Sequence, residues 1–333
     1  MKRLLLGLAV AALASTAPAV AQAPIIIKFS HVVTTDAPKG KAAERFKELT
    51  EKYTGGKVKV ELYPNSQLYK DKEELEALQL GAVQMLAPSV AKFGPIGVKE
   101  YEVFDLPYIF PTEESFKKAI DSPVMAALGK KLEDKGITPL AYWDNGFHIY
   151  TANKPLRTPD DFRGLKMRIQ SSKVLDAATK TLGAIPQVMA FGELYQALQT
   201  GVVDGCDNVP SNIYTQKFYE VQKHITVSQH GHLTYAVVVN KKFWDAIPDD
   251  VRAQVSKAMQ ESTVFMNETA KKDNAEALEL IKASGKTEVY VLSDAEKKVW
   301  IDKLVPVHKD MEARLGKDFI QSVYKVTGFT PGS

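Results

Sequence analysis

Two basic residues in the middle of the chain could form a carboxylate-binding site. Lys166 and Arg168 stand two residues apart in segment 165–169, which is typical of a short strand, so both side chains lie on one side of it. An arginine at a strand end that faces a cleft binds a carboxylate through two parallel charge-assisted hydrogen bonds. Spacing alone favours a solvated arginine, and the carboxylate site remains the alternative.

A second polar position follows a short helix and a glycine-rich turn. Segment 192–200 has helical composition and is closed by Gly201, and the turn after it leads to Asn208. Asp204 and Asp207 are more typical of turn formers than of a catalytic carboxylate pair. By spacing alone, Asn208 is an ordinary loop residue.

The sequence lacks the motifs of common hydrolase and nucleotide-binding sites. It has no G-x-S-x-G elbow, no His-Glu-x-x-His zinc motif and no glycine-rich phosphate loop. His230 and His232 are close in sequence, but their spacing points the two rings to opposite faces of a strand. We therefore expect no catalytic residues, no metal and no cofactor.

The elements that must position these residues alternate between strands and helices, which indicates the α/β class. β-branched or alternating segments predict strands at 25–33, 57–62, 137–143, 147–153, 165–169 and 233–240. Amphipathic segments predict helices at about 38–53, 71–84 and 172–182.

A much longer helix is predicted from about 248 to 284, because glycine and proline are absent from its interior. A helix of this length could brace two domains. Ser293 and Glu296 form a capping box for one more helix, which Pro306 should kink or break.

The amino terminus has the order of a secretory signal peptide. Lys2 and Arg3 precede an uncharged apolar run at 4–13, and small residues then lead to a cleavage site after Ala21. The run is too short to cross a bilayer as a helix. We expect a soluble mature protein in the periplasm.

Composition narrows the possible classes of protein. The formal net charge of the 333-residue chain is only +3, which gives no support for nucleic-acid binding. The single Cys206 excludes an intramolecular disulfide, and we expect it to be buried and inert. The length allows two globular domains.

Taken together, several stretches resemble the substrate-binding proteins of TRAP (tripartite ATP-independent periplasmic) transporters. The resemblance covers nearly the whole mature chain and is greatest to the C4-dicarboxylate-binding, DctP-like branch. Its motifs are Lys28–Val33, Tyr63–Leu68, Ser89–Phe93, Phe104–Tyr108, Asn153–Leu156, Pro159–Ile169, Met189–Asn208 and Gln216–Val221.

This resemblance implies a two-domain periplasmic binding protein fold with the ligand in an interdomain cleft and a long helix bridging both domains. The implied limits are 1–21 for the signal peptide, 22–145 plus 234–273 for domain I, and 146–233 plus 274–333 for domain II. Closure around the ligand would be a hinge motion.

The resemblance also implies the ligand-binding residues. Arg168 would pair with a ligand carboxylate, Asn208 would hydrogen-bond the same group, Phe191 would pack on the ligand, and Ser171 would lie nearby. His31, Ser89 and Lys92 would face the cleft from domain I.

A second ligand carboxylate needs its own partner. His148 stands where sialic-acid-binding members have an arginine, which weakens a sialic-acid assignment. Lys92, His31 and His148 are the candidates for this partner, and Trp143 and Asn145 could also line the pocket.

The function implied is capture of a C4-dicarboxylate (malate, succinate or fumarate) by a monomeric, non-enzymatic protein that delivers it to the membrane permease subunits of a TRAP transporter. Alternatives are another organic acid (a 2-oxoacid, an aromatic acid or a sugar acid), a periplasmic enzyme acting on a carboxylate, or a sensor that presents its ligand to a receptor.

Overall fold

The computed structural model describes residues 23–331, so the predicted signal peptide lies outside the described residues. These residues form a mixed α/β fold with two sheets, which confirms the predicted class. The strands are β1 (Ile25–Ser30), β2 (Val58–Tyr63), β3 (Met85–Leu86), β4 (Ile137–Phe147), β5 (Ile149–Ala152), β6 (Lys166–Ile169), β7 (Ile185–Val188), β8 (Gly205–Asn208), β9 (His224–Val227), β10 (His232–Asn240) and β11 (Glu288–Val291).

The helices surround both sheets, and none in residues 23–331 has the length and apolar character needed to cross a membrane. They are α1 (Pro38–Tyr53), α2 (Glu74–Gln79), α3 (Glu113–Ile120), α4 (Pro123–Glu133), α5 (Lys173–Thr181), α6 (Leu194–Gln199), α7 (Pro210–Thr215), α8 (Lys241–Asp245), α9 (Asp249–Ser284), α10 (Asp294–Leu304), α11 (Val307–Asp310), α12 (Glu312–Leu315) and α13 (Lys317–Thr327). Short 3₁₀ helices at Val90–Lys92, Lys99–Asp105, Pro159–Phe162, Phe191–Glu193 and Phe218–Glu220 connect them.

Sheet I has the strand order β2-β1-β3-β10-β4 and sheet II the order β11-β9-β5-β8-β6-β7. In sheet I, β1 runs parallel to β2 and β3, whereas β10 is antiparallel to β3 and β4. Every residue of β10 is buried, as expected for a strand that is paired on both edges and covered on both faces.

The chain crosses between the sheets close to Gly146. The sequence predicts a break between strands at 143–147, but β4 continues to Phe147 and β5 begins at Ile149. Gly146 has a φ of 93°, a backbone conformation that residues with a side chain rarely adopt. The return crossing lies between β9 and β10, so both crossovers stand side by side.

Helix α9 joins the two sides of the molecule, and the predicted long helix is confirmed. Its first two thirds bury Val251, Val255 and Met266 in a core with sheet I and α1. Nearer its end, Ile281 packs in a different core with residues of sheet II and α6. The helix ends at Gly285, which has a left-handed φ of 66°.

The carboxy-terminal segment contacts both sides. Ser293 and Glu296 form the predicted capping box at α10, and α10 ends at Leu304, before Pro306. Helix α13 packs on α3, and Arg314 forms an ion pair with the buried Glu102. The domain limits remain a prediction. The strands divide between the two sheets close to these limits, whereas the final helices, assigned to domain II, also contact elements assigned to domain I.

Helix α2 is shorter than the predicted 71–84. The side chain of Asn240 donates hydrogen bonds to the carbonyls of Leu78 and Gln79, and Gly81 adopts a left-handed φ of 77°. These contacts satisfy the carbonyls at the helix end and stop the helix at Gln79, short of the predicted end at 84.

Candidate functional site

A narrow cavity of about 20 Å³ lies between the two sides of the molecule. Three cationic side chains line it: Lys39 from α1, Lys92 from a 3₁₀ helix and Arg168 from β6. The remaining wall residues are Val32, Val33, Asp71, Ser89, Gln170, Phe191, Asn212, Leu233 and Tyr235. Of the predicted ligand-binding residues, the structure therefore brings Ser89, Lys92, Arg168 and Phe191 together.

Arg168 is almost fully buried, with 2 % of its surface exposed. Its strand β6 lies between β7 and β8, and Lys166, two residues earlier, is exposed at the start of the strand. The Arg168 Nε donates to the Met189 carbonyl at 3.1 Å, which fixes the guanidinium in place. Nη2 lies 3.6 Å from Asp71 Oδ2, on the other side of the cavity.

Asp71 connects the two walls of the cavity. Its Oδ2 accepts a hydrogen bond from the Phe191 backbone N–H at 3.1 Å and lies 3.2 Å from Lys92 Nζ. Burial alone would raise the pKa of Asp71, but Lys92 and then Arg168 outweigh it and lower the pKa below its usual value. Asp71 is therefore an anion that holds the cavity closed.

Lys92 is buried between two carboxylates. Its ammonium lies 3.2 Å from Asp71 and 3.2 Å from Glu74. Burial lowers the pKa of Lys92, yet Asp71 and Glu74 more than compensate and raise it overall. Lys92 is thus charged, and both neighbouring carboxylates already neutralise it.

Lys39 is the third cation, and sequence reasoning missed it. It lies in the first turn of α1, and 1 % of its surface is exposed. Its Nζ donates to the Ala87 carbonyl at 2.9 Å and lies 3.8 Å from the centroid of the Tyr235 ring. The neighbouring Gly40 lets the start of α1 pack against the preceding loop, because a Cβ there would lie 2.3 Å from the Thr34 carbonyl oxygen.

Phe191 forms the apolar part of the wall. It is buried, packs edge-on against Phe218 at 5.7 Å between ring centroids, and lies 5.8 Å from the Arg168 guanidinium carbon. A flat ring beside a guanidinium excludes water from the charged groups, which strengthens their interaction with an anion.

Asn208 belongs to a buried amide network behind the cavity. Its Oδ1 accepts hydrogen bonds from the Val209 N–H and from Asn212 Nδ2, each at 2.9 Å. Asn212 and Asn145 also donate to the Tyr235 hydroxyl, at 3.1 and 3.2 Å. Asn212 and Tyr235 form the cavity wall here, and neither stood out in the sequence.

A second small chamber lies on the other side of Arg168 and contains His148. The His148 Nδ1 lies 2.7 Å from Asp207 Oδ2, and His230 Nε2 lies 3.6 Å from the same oxygen. His230 stacks on Tyr150 at 3.8 Å. The expectation that Asp207 is a turn former is wrong, because it is buried in β8 and its pKa is lowered: burial opposes this, and His148 outweighs it.

These three residues could also hold a divalent metal ion, since their ligand atoms all lie within 4.8 Å of one another. The 2.7 Å contact is equally what a histidine–carboxylate hydrogen bond gives. His232 points elsewhere, to Asp144 at 3.0 Å, as the spacing of the histidine pair predicts.

Ser89 lies in the cavity wall, whereas the predicted site residues His31, Ser171 and Trp143 are not among the residues that line it. His31 is buried edge-on against Phe29, and burial, followed by Lys39, lowers its pKa to about 3. Ser89 caps the 3₁₀ helix that carries Lys92, and Ser171 is half-buried after β6. Trp143 is fully buried in the core of sheet I, where its Nε1 donates to Thr263 on α9 at 3.0 Å.

Cys206 is buried in β8, and burial raises the pKa of its thiol to about 12. A thiol in this state is a poor nucleophile, in agreement with the inert role predicted for it.

The family model described as "Bacterial extracellular solute-binding protein, family 7" (DctP) matches residues 29–315. The chain is 61% identical over 323 residues, 97% of each chain, to the C4-dicarboxylate-binding periplasmic protein DctP of Rhodobacter capsulatus. It is 42% identical to the C4-dicarboxylate-binding protein DctB of Bacillus subtilis, over 92% of this chain and 87% of that protein.

A solved structure is similarly close. A TRAP periplasmic solute binding protein from Shewanella oneidensis, with bound succinate, superposes with a TM-score of 0.89 at 42% identity. The match covers 92% of this chain and 100% of that one.

Proposed function

We propose that this chain, which belongs to the bacterial extracellular solute-binding protein family 7, binds C4-dicarboxylates such as succinate, malate and fumarate in the cavity beside Arg168. The family match confirms the resemblance to TRAP transporter solute-binding proteins that the sequence motifs carry. The relatives named above are solute-binding proteins, which supports a binding role rather than catalysis.

The observation that carries the proposal is the excess of buried basic groups around the cavity. Arg168, Lys92 and Lys39 face Asp71 and Glu74, so three basic groups oppose two carboxylates. A buried cation needs an anionic partner, because removing charge from water is costly unless the charge is paired. A small dianion supplies that partner.

We further propose where the protein works and what receives the ligand. A periplasmic location follows from the predicted cleaved signal peptide at 1–21, and the R. capsulatus relative is named as a periplasmic protein. The receiving partner in this proposal is the permease of a TRAP transporter, to which the closed protein delivers its ligand. Closure itself is supported by cross-cavity contacts, among them Lys70 Nζ to Glu193 Oε1 at 2.7 Å.

Calorimetric titration of the ligand-stripped protein tests the ligand class. Succinate, malate and fumarate should bind with dissociation constants of about 1 μM or tighter, as expected of a capture protein. N-acetylneuraminate and pyruvate serve as controls, since one is bulky and the other has a single carboxylate. Tight binding of a control, with no response to the dicarboxylates, would refute the assignment and leave the family unchanged.

A further inference from the structure

We propose that Lys39 is the group that binds the second carboxylate of the ligand. This role rests on the proposed function, because it requires a ligand with two carboxylates. Arg168 holds one end of the ligand on the side of sheet II, and Lys39 holds the other from α1, on the side of sheet I.

The state of the Lys39 ammonium is the first argument. Of its three N–H donors, one bonds the Ala87 carbonyl, and the Tyr235 ring covers the group on another side. Across residues 23–331 it forms no ion pair with a carboxylate, unlike Lys92 and Arg168 in the same wall. A buried ammonium without a carboxylate partner, beside a cavity, is suited to receive an anion from outside the chain.

The competing candidates are already occupied. Lys92 contacts two carboxylates at 3.2 Å each, so a third would add repulsion as well as attraction. His148 is paired with Asp207 at 2.7 Å in the other chamber. His31 has its pKa lowered to about 3 by burial and by Lys39, and is therefore a neutral ring near pH 7.

The local electrostatics give the proposal a second observable. Burial and the Lys92 ammonium lower the pKa of Lys39 to about 7, with Glu74 and Asp71 acting in the opposite direction. The facing charged groups are therefore Lys92, Glu74 and Asp71, with the neutral His31 beside them. A carboxylate arriving at Lys39 favours the charged ammonium and raises its pKa, so binding takes up a proton near pH 7.5.

The test compares succinate with succinamate, in which a neutral amide replaces one carboxylate. Wild type should bind succinate at least about tenfold more tightly, as loss of one charged contact predicts. Lys39→Met keeps a similar side-chain volume without the charge. It should lose about tenfold or more in succinate affinity and change succinamate affinity little, so that the preference disappears.

Two variants provide the controls. Lys52→Met removes an exposed lysine from the same helix and should retain the wild-type preference. His148→Gln removes the competing candidate and should also retain it. Equal loss of both ligands in Lys39→Met, or loss of the preference only in His148→Gln, would overturn the proposal.

A measurement on the wild type covers the case in which Lys39→Met fails to fold. The enthalpy of succinate binding at pH 7.5 should depend on the ionisation enthalpy of the buffer and reveal net proton uptake, with less for succinamate. Identical proton uptake for the two ligands would contradict a role for Lys39. If the wild type bound succinamate as tightly as succinate, the carboxylate site at Arg168 would stand and the proposed second site at Lys39 would be wrong.

Discussion

Arg168 is positioned before any ligand arrives. The Met189 carbonyl holds its Nε, Asp71 stands 3.6 Å from Nη2, and Phe191 covers one side. The planar guanidinium presents its remaining donors toward the cavity, and binding costs little side-chain entropy because the rotamer is already fixed. Asp71 is itself a carboxylate at this guanidinium, so a ligand shares Arg168 with it or displaces it.

Replacing Arg168 by alanine should weaken succinate binding by about 10²-fold or more. Removal of one partner of a buried charge pair costs about 3–5 kcal/mol, and each step of about 1.4 kcal/mol is a tenfold change in affinity. Calorimetry on the purified variant measures the loss. Arg163→Ala, at an exposed arginine in the turn before β6, is the matched control and should bind like wild type. A succinate affinity of Arg168→Ala within a few-fold of the wild-type value would contradict the role assigned to Arg168.

Asn208→Ala should weaken binding less than Arg168→Ala. The change removes a neutral amide behind the cavity wall, and a buried group left without its hydrogen-bond partner costs about 1–3 kcal/mol. It also removes the acceptor of Asn212 Nδ2, whose side chain lines the cavity. We expect a loss of about tenfold to a hundredfold by calorimetry; a loss equal to or above that of Arg168→Ala would reverse the ranking of the two residues.

At the scale of elements, one side chain of α9 joins the first crossover to α7. Asn274 Nδ2 donates to the Asn145 carbonyl at 2.8 Å, and its Oδ1 accepts from the Ser211 N–H at 2.9 Å. Asn145 stands in β4 and Ser211 in α7, directly after the strand that carries Asn208. Gly146 permits this approach, because a Cβ there would lie 2.7 Å from Asn274 Nδ2.

Asn274→Ala should therefore lower the free energy of unfolding by about 1–3 kcal/mol, the cost of leaving partly buried backbone groups without a partner. Urea unfolding followed by circular dichroism measures this, with Lys272→Ala at an exposed position of α9 as the control. Equal stability of Asn274→Ala and the control would show that water replaces the amide without cost.

Elements were predictable where local sequence decides them. The absence of glycine and proline sufficed for α9, and Ser293 with Glu296 sufficed for the start of α10. The end of α2 was not predictable, because Asn240, from a distant strand, caps it. In the same way Lys39 has the sequence of a surface lysine, and only tertiary packing under Tyr235 buries it.

For the whole molecule, the walls of the cavity belong to opposite sides joined by α9 and two adjacent crossovers. In the proposed mode of binding, a ligand with an anionic group at each end would bridge the walls and stabilise the closed arrangement by its contacts to both. The predicted hinge motion would then be a rotation at the crossovers. The sequence motifs identified Arg168 on one wall and Lys92 on the other. Lys39 emerges only from the fold.

The stability of the whole molecule should fall as the pH drops below about 6.5. Burial, followed by Lys39, lowers the pKa of His31 to about 3, and burial lowers the pKa of His308 to about 4. Both imidazoles bind a proton more weakly in the folded than in the unfolded chain, so their contribution is present above the unfolded value near 6.5 and is lost as pH falls toward the folded values.

Each histidine should account for about 2 kcal/mol of lost stability between pH 7.5 and pH 5, because one pKa unit corresponds to 1.36 kcal/mol. Urea unfolding at a series of pH values measures the decline. His308→Gln should make the decline shallower, since it removes one of these two imidazoles. A free energy of unfolding that stays constant from pH 7.5 to pH 5 would contradict this prediction. It would mean that both buried rings bind a proton as readily in the folded chain as in the unfolded one.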